Sequence, residues 1–371
     1  MAEALFIAEI VLAWVLLTVI QIPLRKEEHR AIRTLFFVFK VLLIPIMALL
    51  FVAIDWVGGY AYGRILCAIY IALIGDVAAS IVEYIIRRIR TWDDDESERR
   101  HRYDHRIGVP IGLAVCIIVL AFGTVNAGTV HMDAHEWNAD GLDTDHTFAF
   151  ASDLHTGSAQ LMDVLRDFCE QVNGSGAEFL ILGGDITDER TSYEDMVETY
   201  RILSTVSIPT YFVYGNHDRQ PYADLVGGRT YTDAQLEDAI TGAGITILTD
   251  DYILVAPDLV LLGREDSSSD ARVPWSDLTN PYPDITLIVA DHQPYDEEQL
   301  KMEVSALQVS GHTHAGQLWP LQTLYNLLGL PSYGEFDYPG TRLYVSPGMS
   351  GWAVQLRTEA HCAWELITLH P

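Results

Sequence analysis

Residues 146–155 read HTFAFASDLH, and residues 178–188 read EFLILGGDITD. In each, an apolar run stops abruptly at an aspartate. The same grammar recurs as TYFVYGNHD (210–218), ITLIVADHQP (285–294) and LQVSGHTHAGQ (307–317), where the runs end in Asn-His-Asp, Asp-His and His-Thr-His. Apolar runs this short, bounded by Gly, Asn and Asp, read as buried strands. Between the first three lie Ser158–Val172 and Tyr193–Ser204, both with helical character. Strands alternating with helices predict an α/β domain over residues 144–371. In such folds ligands collect outside the carboxyl ends of the strands, so five strand ends would deliver oxygen and imidazole donors to one edge.

The donor set has a definite chemistry. Asp153, Asp185 and Asn216 offer hard oxygens, and His155, His292, His312 and His314 offer imidazole nitrogens. No cysteine takes part. Seven mixed donors suit two divalent ions of the Mn, Fe, Zn or Co type better than one structural zinc. Two such ions can activate a shared water and clamp a phosphoryl group. Singly, each residue has a plainer reading: a lone histidine as a core or turn residue, Asp153 as a helix N-cap, Gly183-Gly184 as a tight turn. Seven positions in order just past strand ends are not explained that way.

Outward from this domain the composition changes. Residues 1–126 carry 13 Lys and Arg against 13 Asp and Glu, whereas the remainder carries 10 against 38 and accounts for the whole net charge of −28. Such acidity disfavours nucleic acid as a partner, because gripping its backbone takes clustered cations. It fits a soluble surface or a salty habitat, and bound metals would have to reverse its sign locally for an anionic substrate. Four cysteines without CxxC spacing announce no disulfide framework; Cys169 and Cys362 could pair only if the fold joins them.

The amino-terminal third is apolar. Four runs, about 4–20, 34–54, 65–86 and 108–125, approach the twenty residues a transmembrane helix needs. They predict a bundle of four transmembrane helices over 1–126, followed by a linker over 127–143. Basic residues concentrate between the first two runs (Arg25, Lys26, Arg30, Arg33) and between the last two (Arg87 to Arg106). The positive-inside bias makes those loops cytoplasmic and the large domain extracytoplasmic in the plasma membrane. Glu9, Lys40, Asp76 and Glu83 fall within the runs, where ionisable groups seek partners or line a path; Lys40 shares a depth with Asp76 or Glu83. The run Asp93–Glu96 reads as a solvated loop, and His131 and His135 as a surface turn outside the last span.

At DLH (153–155), GDITD (184–188), GNHD (215–218), DHQP (291–294) and GHTHAGQ (311–317) the chain resembles the calcineurin-like metallophosphoesterases. The SDLHTG string, the GHTH-x-GQ form and the late VSPGMSG segment resemble the membrane-associated, YkuE-like branch. The resemblance covers about 230 residues and implies a sandwich of two β-sheets flanked by helices. It implies one metal held by Asp153, His155, Asp185 and His314, and a second by Asp185, Asn216, His292 and His312, with Asp185 bridging. It makes His217 the non-ligand acid that protonates the leaving group, and Asp218 the residue that orients it. Ala315 departs from the usual glycine, and Asp188 stands where purple acid phosphatases place a tyrosine.

The function expected is hydrolysis of a phosphate mono- or diester, with a metal-bound hydroxide attacking in line and His217 as general acid. Anchoring at a bilayer makes a lipid- or wall-linked phosphate ester the natural substrate class. Two readings from other classes compete: a binding-only receptor or scaffold, which degenerate ligand positions would betray, and a membrane transporter with a regulatory outer domain. Loss of activity in membranes alone, on mutation of Lys40, Asp76 or Glu83, would favour the last.

Overall fold

The computed structural model describes residues 2–21, 30–53, 59–90, 108–157, 159–225, 227–296, 299–300 and 306–371. Two compact units emerge: Met1–Val125 with Leu318–Leu321, and Asn126–Gln317 with Gln322–Pro371.

The first unit contains α1 (Ala2–Gln21), α2 (Arg30–Ala53), α3 (Gly59–Arg90) and α4 (Gly108–Ala127). Three of them hold stretches long and apolar enough to cross a bilayer: Ala31–Phe51, Tyr62–Ile86 and Gly108–Ala127. The expectation of four spans is corrected here. In α1 the apolar stretch Leu5–Gln21 reaches only about 26 Å at a rise of 1.5 Å per residue, against a hydrocarbon core of about 30 Å. The charged residues inside this unit find partners. Lys40 is buried in an ion pair with Asp76, and Arg64 Nη2 lies 2.9 Å from Glu9 Oε1. Arg25, Lys26, Arg99, Arg100, Arg102, Arg106 and the Asp93–Glu96 run lie outside the described residues.

The second unit has two six-stranded mixed sheets, the sandwich expected of the metallophosphoesterase fold. The first sheet combines β1 (Val130–Asn138), β2 (His146–Ala151), β3 (Phe179–Leu182), β4 (Thr210–Phe212), β5 (Thr246–Ile247) and the last strand, β12 (Cys362–His370), in the order β1-β12-β2-β3-β4-β5. The second combines β6 (Asp251–Ala256), β7 (Leu259–Gly263), β8 (Thr286–Ala290), β9 (Leu307–Ser310), β10 (Gly334–Tyr338) and β11 (Thr341–Val345), in the order β10-β11-β9-β8-β7-β6. Strands β2 to β5 run parallel, as do β7, β8, β9 and β11. The stretch 127–143, expected as a linker, holds β1, paired in parallel with β12 from Val130↔Cys362 to Asn138↔His370. His131 and His135 thus lie on a strand, not a turn. His135 Nε2 is 3.0 Å from Glu365 Oε2.

Successive side chains of a strand face opposite ways, and the buried strands use both faces. Phe148, Phe150, Leu259 and Leu261 meet between the sheets with Ile181, Ile288 and Val309. The opposite face of the first sheet, with Ala149, Leu180 and Phe212, packs on α5 (Ala159–Gly174), α6 (Tyr193–Leu203) and α7 (Asp233–Gly242) through Leu165, Phe168, Met196 and Leu236. Val260, Leu262 and Val289 cover the other side of the second sheet with Trp275. Each fully buried Phe or Leu contributes roughly 1.5–3 kcal/mol, which holds the parallel strands in register and brings their carboxyl ends together. All four cysteines are free and buried.

Candidate metal centre

The seven predicted donors converge. Asp153 and His155 follow β2, Asp185 follows β3, Asn216 follows β4, His292 follows β8, and His312 and His314 follow β9. One group of donor atoms, from Asp153, His155 and His314, lies within 4.8 Å of one another, and a second group comes from Asp185, His292 and His312. Asp185 connects them: its Oδ2 is 3.2 Å from His292 Nε2 and 3.8 Å from His155 Nε2. Asn216 Oδ1 completes the second group at 2.8 Å from His312 Nδ1 and 3.2 Å from His292 Nε2.

The backbone is strained where these residues sit. Asp153, His155, Asp185, His312 and His314 all have positive φ, at 55°, 47°, 53°, 73° and 48°. Non-glycine residues avoid that region at a cost of about 1–2 kcal/mol each, and such strain gathers at functional sites. Neighbouring glycines let the backbone close in. At Gly348 (φ 77°) a Cβ would fall 2.7 Å from the Cβ of Asp153, and at Gly215 it would fall 2.2 Å from Asp185 Oδ1.

Hydrogen bonding shows that the site fits cations. The Nδ1 of His292 donates to the Gly183 carbonyl at 2.8 Å. That leaves its Nε2 lone pair facing the carboxylate of Asp185 and the carbonyl of Asn216. Three electron-pair donors aimed at one point repel unless a cation lies among them, and an imidazole anchored through its other nitrogen is the usual way to orient such a ligand. In the other group, His155 Nε2 and His314 Nε2 face each other at 3.1 Å. Burial holds His155 well below the usual imidazole range and His314 at about 4, so both are neutral lone-pair donors. Burial likewise takes His312 down to about 4. Burial also works against a charged His292, but the charge of Asp185 outweighs it and raises that pKa, the pull a divalent cation would satisfy instead.

His217 stands beside both groups. Its ring packs edge-on to His155, with centroids 5.5 Å apart, and its neighbours include Tyr222 and Trp352. The expectation that Asp218 orients it is corrected by the geometry. The carboxylate at His217 Nδ1 belongs to Glu189, at 2.9 and 3.1 Å, with both side chains buried. Asp218 instead accepts backbone N–H groups from Asp185 and Gly215 at 2.8 Å and from Ile186 and Thr187 at 3.0 Å, tying the β3 and β4 loops together. Burial and the nearby charge of Asp185 push Asp218 up to about 7 against those donors.

Three further residues escape a reading by motif. Glu189 is four positions past Asp185, and its signal was the GDITDE string itself, which ends in one more acid than the motif requires. Arg357, fully buried, donates to the carbonyls of Pro347, Ser350 and His361 at 2.6–2.8 Å and so fixes the VSPGMSG segment. The Nδ1 of His314 reaches the same Ser350 carbonyl at 3.1 Å. Trp352 at the end of that segment has no sequence signal as a neighbour of His217.

The site and the sandwich together place two groups of metal-type donors at the carboxyl ends of the strands. Residues 146–316 match the calcineurin-like phosphoesterase family, and the chain carries that domain. A protein described as an uncharacterized metallophosphoesterase from Helicobacter pylori (strain J99) is 28% identical over 222 residues, 59% of this chain and 58% of that one. A Danio rerio transmembrane protein with metallophosphoesterase domain is 25% identical over 67% of this chain and 59% of its own length. The uncharacterized metallophosphoesterase YkuE of Bacillus subtilis is 28% identical over 56% of this chain and 72% of its own. The matched stretches thus span a little under three fifths of the Helicobacter and Danio proteins. The family works with divalent metal ions, and the described apolar helices fit a membrane protein.

Proposed function

We propose that this chain is a membrane-anchored phosphoesterase that uses two divalent ions to hydrolyse a phosphate mono- or diester. The observation that carries the reading is the pair of donor groups joined by Asp185, with a non-ligand histidine held beside them by a buried carboxylate. Asp153, His155, Asp185 and His314 would hold one ion, and Asp185, Asn216, His292 and His312 the other. Mn, Fe, Zn or Co suits such oxygen and nitrogen donors. When bound, the ions supply an activated water and offset charge on the phosphoryl oxygens.

The chain's own part is positioning and proton transfer. With Nδ1 tied to Glu189, His217 presents Nε2 toward the site and there gives its proton to the departing oxygen. Asp218 keeps Asp185 and Gly215 in place through their backbone N–H groups. Trp352 and Tyr222 flank the imidazole and limit its rotation. Anchoring favours esters presented at a membrane surface or in the wall space, with the domain of residues 144–371 extracytoplasmic as the basic loops argue.

The test is hydrolysis of a bis-aryl phosphate and its mono-aryl counterpart by the full chain in detergent, with manganese and with chelator. Metal-dependent turnover is expected, and the ratio of the two rates assigns diester or monoester preference. His217→Ala should cut turnover while metal content stays near two per chain. Turnover untouched by chelation would overturn the proposal.

A further inference from the structure

We propose that Asp188 is a positioning residue: its Oδ2 accepts the Nδ1–H of His155 and so turns the Nε2 lone pair of that imidazole toward the first ion. This rests on His155 being a ligand of that ion, as proposed above. The adjacent acid, Glu189, serves His217, so the two acids that end GDITDE would each hold a different histidine.

The backbone brings the two side chains together by continuing the sheet past its strands. Beyond β2 and β3, His155 N still donates to the Asp185 carbonyl and Thr156 N to the Ile186 carbonyl, both at 3.0 Å. Thr156 and Thr187 then form a parallel bridge. The Thr191 hydroxyl ties the same two loops by donating to the Thr156 carbonyl. Asp188 is thereby carried alongside His155, with its Oδ2 3.7 Å from His155 Nδ1 and both side chains buried.

These two atoms are left over from every other bond. Neither His155 Nδ1 nor Asp188 Oδ2 has a hydrogen-bond partner among the described residues. Arg190 Nη2 lies 3.8 Å from Asp188 Oδ2, beyond hydrogen-bond reach, and Arg190 Nη1 donates to the Ala353 carbonyl at 3.0 Å. A buried polar atom left without a partner is costly. An imidazole that lends Nε2 to a cation must also keep its proton on Nδ1, where an acceptor fixes the tautomer. A shift of about 0.8 Å brings this pair to the usual N–H···O length of about 2.9 Å. The other carboxylate oxygen is committed: Oδ1 accepts from Arg190 N at 2.8 Å and lies 3.4 Å from Thr191 Oγ1. That contact holds the carboxylate with Oδ2 toward the imidazole.

The test is manganese binding to the full chain in detergent, by titration calorimetry, for the parent, Asp188→Asn and Asp188→Ala. In Asp188→Asn the Arg190 N–H keeps the amide oxygen at the Oδ1 position, so the NH2 faces His155 Nδ1. Donating there, it drives the imidazole proton to Nε2 and blocks the lone pair. One manganese ion should then bind roughly 10–100-fold more weakly while the other keeps its parent affinity. Asp188→Ala opposes neither tautomer and should weaken binding less. A merely structural role predicts the reverse order, because alanine loses the bonds to Arg190 and Thr191 that asparagine keeps. Nitrogen NMR of the metal-free parent with labelled histidine reads the tautomer directly, His155 being assigned by the signal lost in His155→Gln. An Nδ1–H imidazole is expected; an Nε2–H imidazole overturns the proposal whether or not the Asp188 variants fold. Parent affinity for both ions in Asp188→Asn, or a greater loss in Asp188→Ala, overturns it as well. A parent chain that binds no manganese refutes the two-ion reading instead, and the imidazole spectrum still decides the pairing.

Discussion

Replacing Glu189 with glutamine should slow the chemical step without emptying the site. In the structure His217 Nδ1 lies 2.9 and 3.1 Å from the two carboxylate oxygens, with both partners buried. A hydrogen bond to a charged partner in such surroundings contributes about 1.5–3 kcal/mol. Glutamine has the same length and keeps one oxygen, so a neutral bond of roughly 0.5–1.5 kcal/mol survives. The difference, about 1–2 kcal/mol, corresponds to roughly a 5–30-fold fall in kcat. Metal content by mass spectrometry should stay at the parent value and KM should barely move. The loss should also grow as the leaving group worsens, from a nitrophenolate to an alkoxide, because only a poor leaving group needs the proton. Asp218→Asn serves as the contrast. Its NH2 would face two of the four backbone donors, which are shared two to each carboxylate oxygen, so roughly 3 kcal/mol should be lost from stability, with no dependence on the leaving group. A parent rate for Glu189→Gln, or an equal loss with both leaving groups, would refute the pairing of Glu189 with His217.

Three further outcomes follow from the same geometry. Asp185→Asn removes the carboxylate that faces both His292 and His155, and metal bound per chain should fall from about two to below one. Gly348→Ala adds a Cβ 2.7 Å from that of Asp153 at a φ of 77°; a loss of roughly 2–4 kcal/mol should appear as a lower melting temperature, with activity partly restored by excess metal. His146 bonds Glu178 Oε2 at 2.9 Å and Asp258 Oδ1 at 2.8 Å. Burial opposes its protonation, but the two carboxylates outweigh burial and raise its pKa. The stabilisation is thus fully present below the unfolded value of about 6.5 and is lost as pH rises through the higher folded value. Melting temperature should fall over that window, and His146→Gln should remove that component of the slope.

Much of the two-sheet domain was legible along the chain because its strands are short, doubly buried and cut off by the candidate metal donors. A reader of one dimension can see an apolar run stop at Asp153 or His292, since burial on both faces demands continuous Val, Ile, Leu and Phe. Helix α6 was equally visible, opened by Ser192 whose side chain accepts from Asp195 N at 3.0 Å. β1 was not. Its sequence VHMDAHEWN lacks the apolar run of a central strand, because it sits at the sheet edge and is held by β12, more than 200 residues away. The membrane third was readable by length and composition, yet the first of the four expected spans was over-read, as the apolar stretch Leu5–Gln21 is too short and carries Glu9.

By itself, then, the sequence determined which residue types gather at the strand ends, their order, and the metal chemistry those types suit. It did not fix which carboxylate serves His217: the family resemblance pointed to Asp218, while Asp185, Asp188 and Glu189 lie within the same two motifs. Only the folded chain decided that. The left-handed turn at Asp185 (φ 53°) redirects the backbone after β3, and the four N–H groups converging on Asp218 draw that carboxylate away to the loops. Glu189 is left against the imidazole. Periodicity encodes burial, whereas the direction of a side chain beyond a turn depends on dihedral angles and on hydrogen bonds between distant segments, which no local pattern carries.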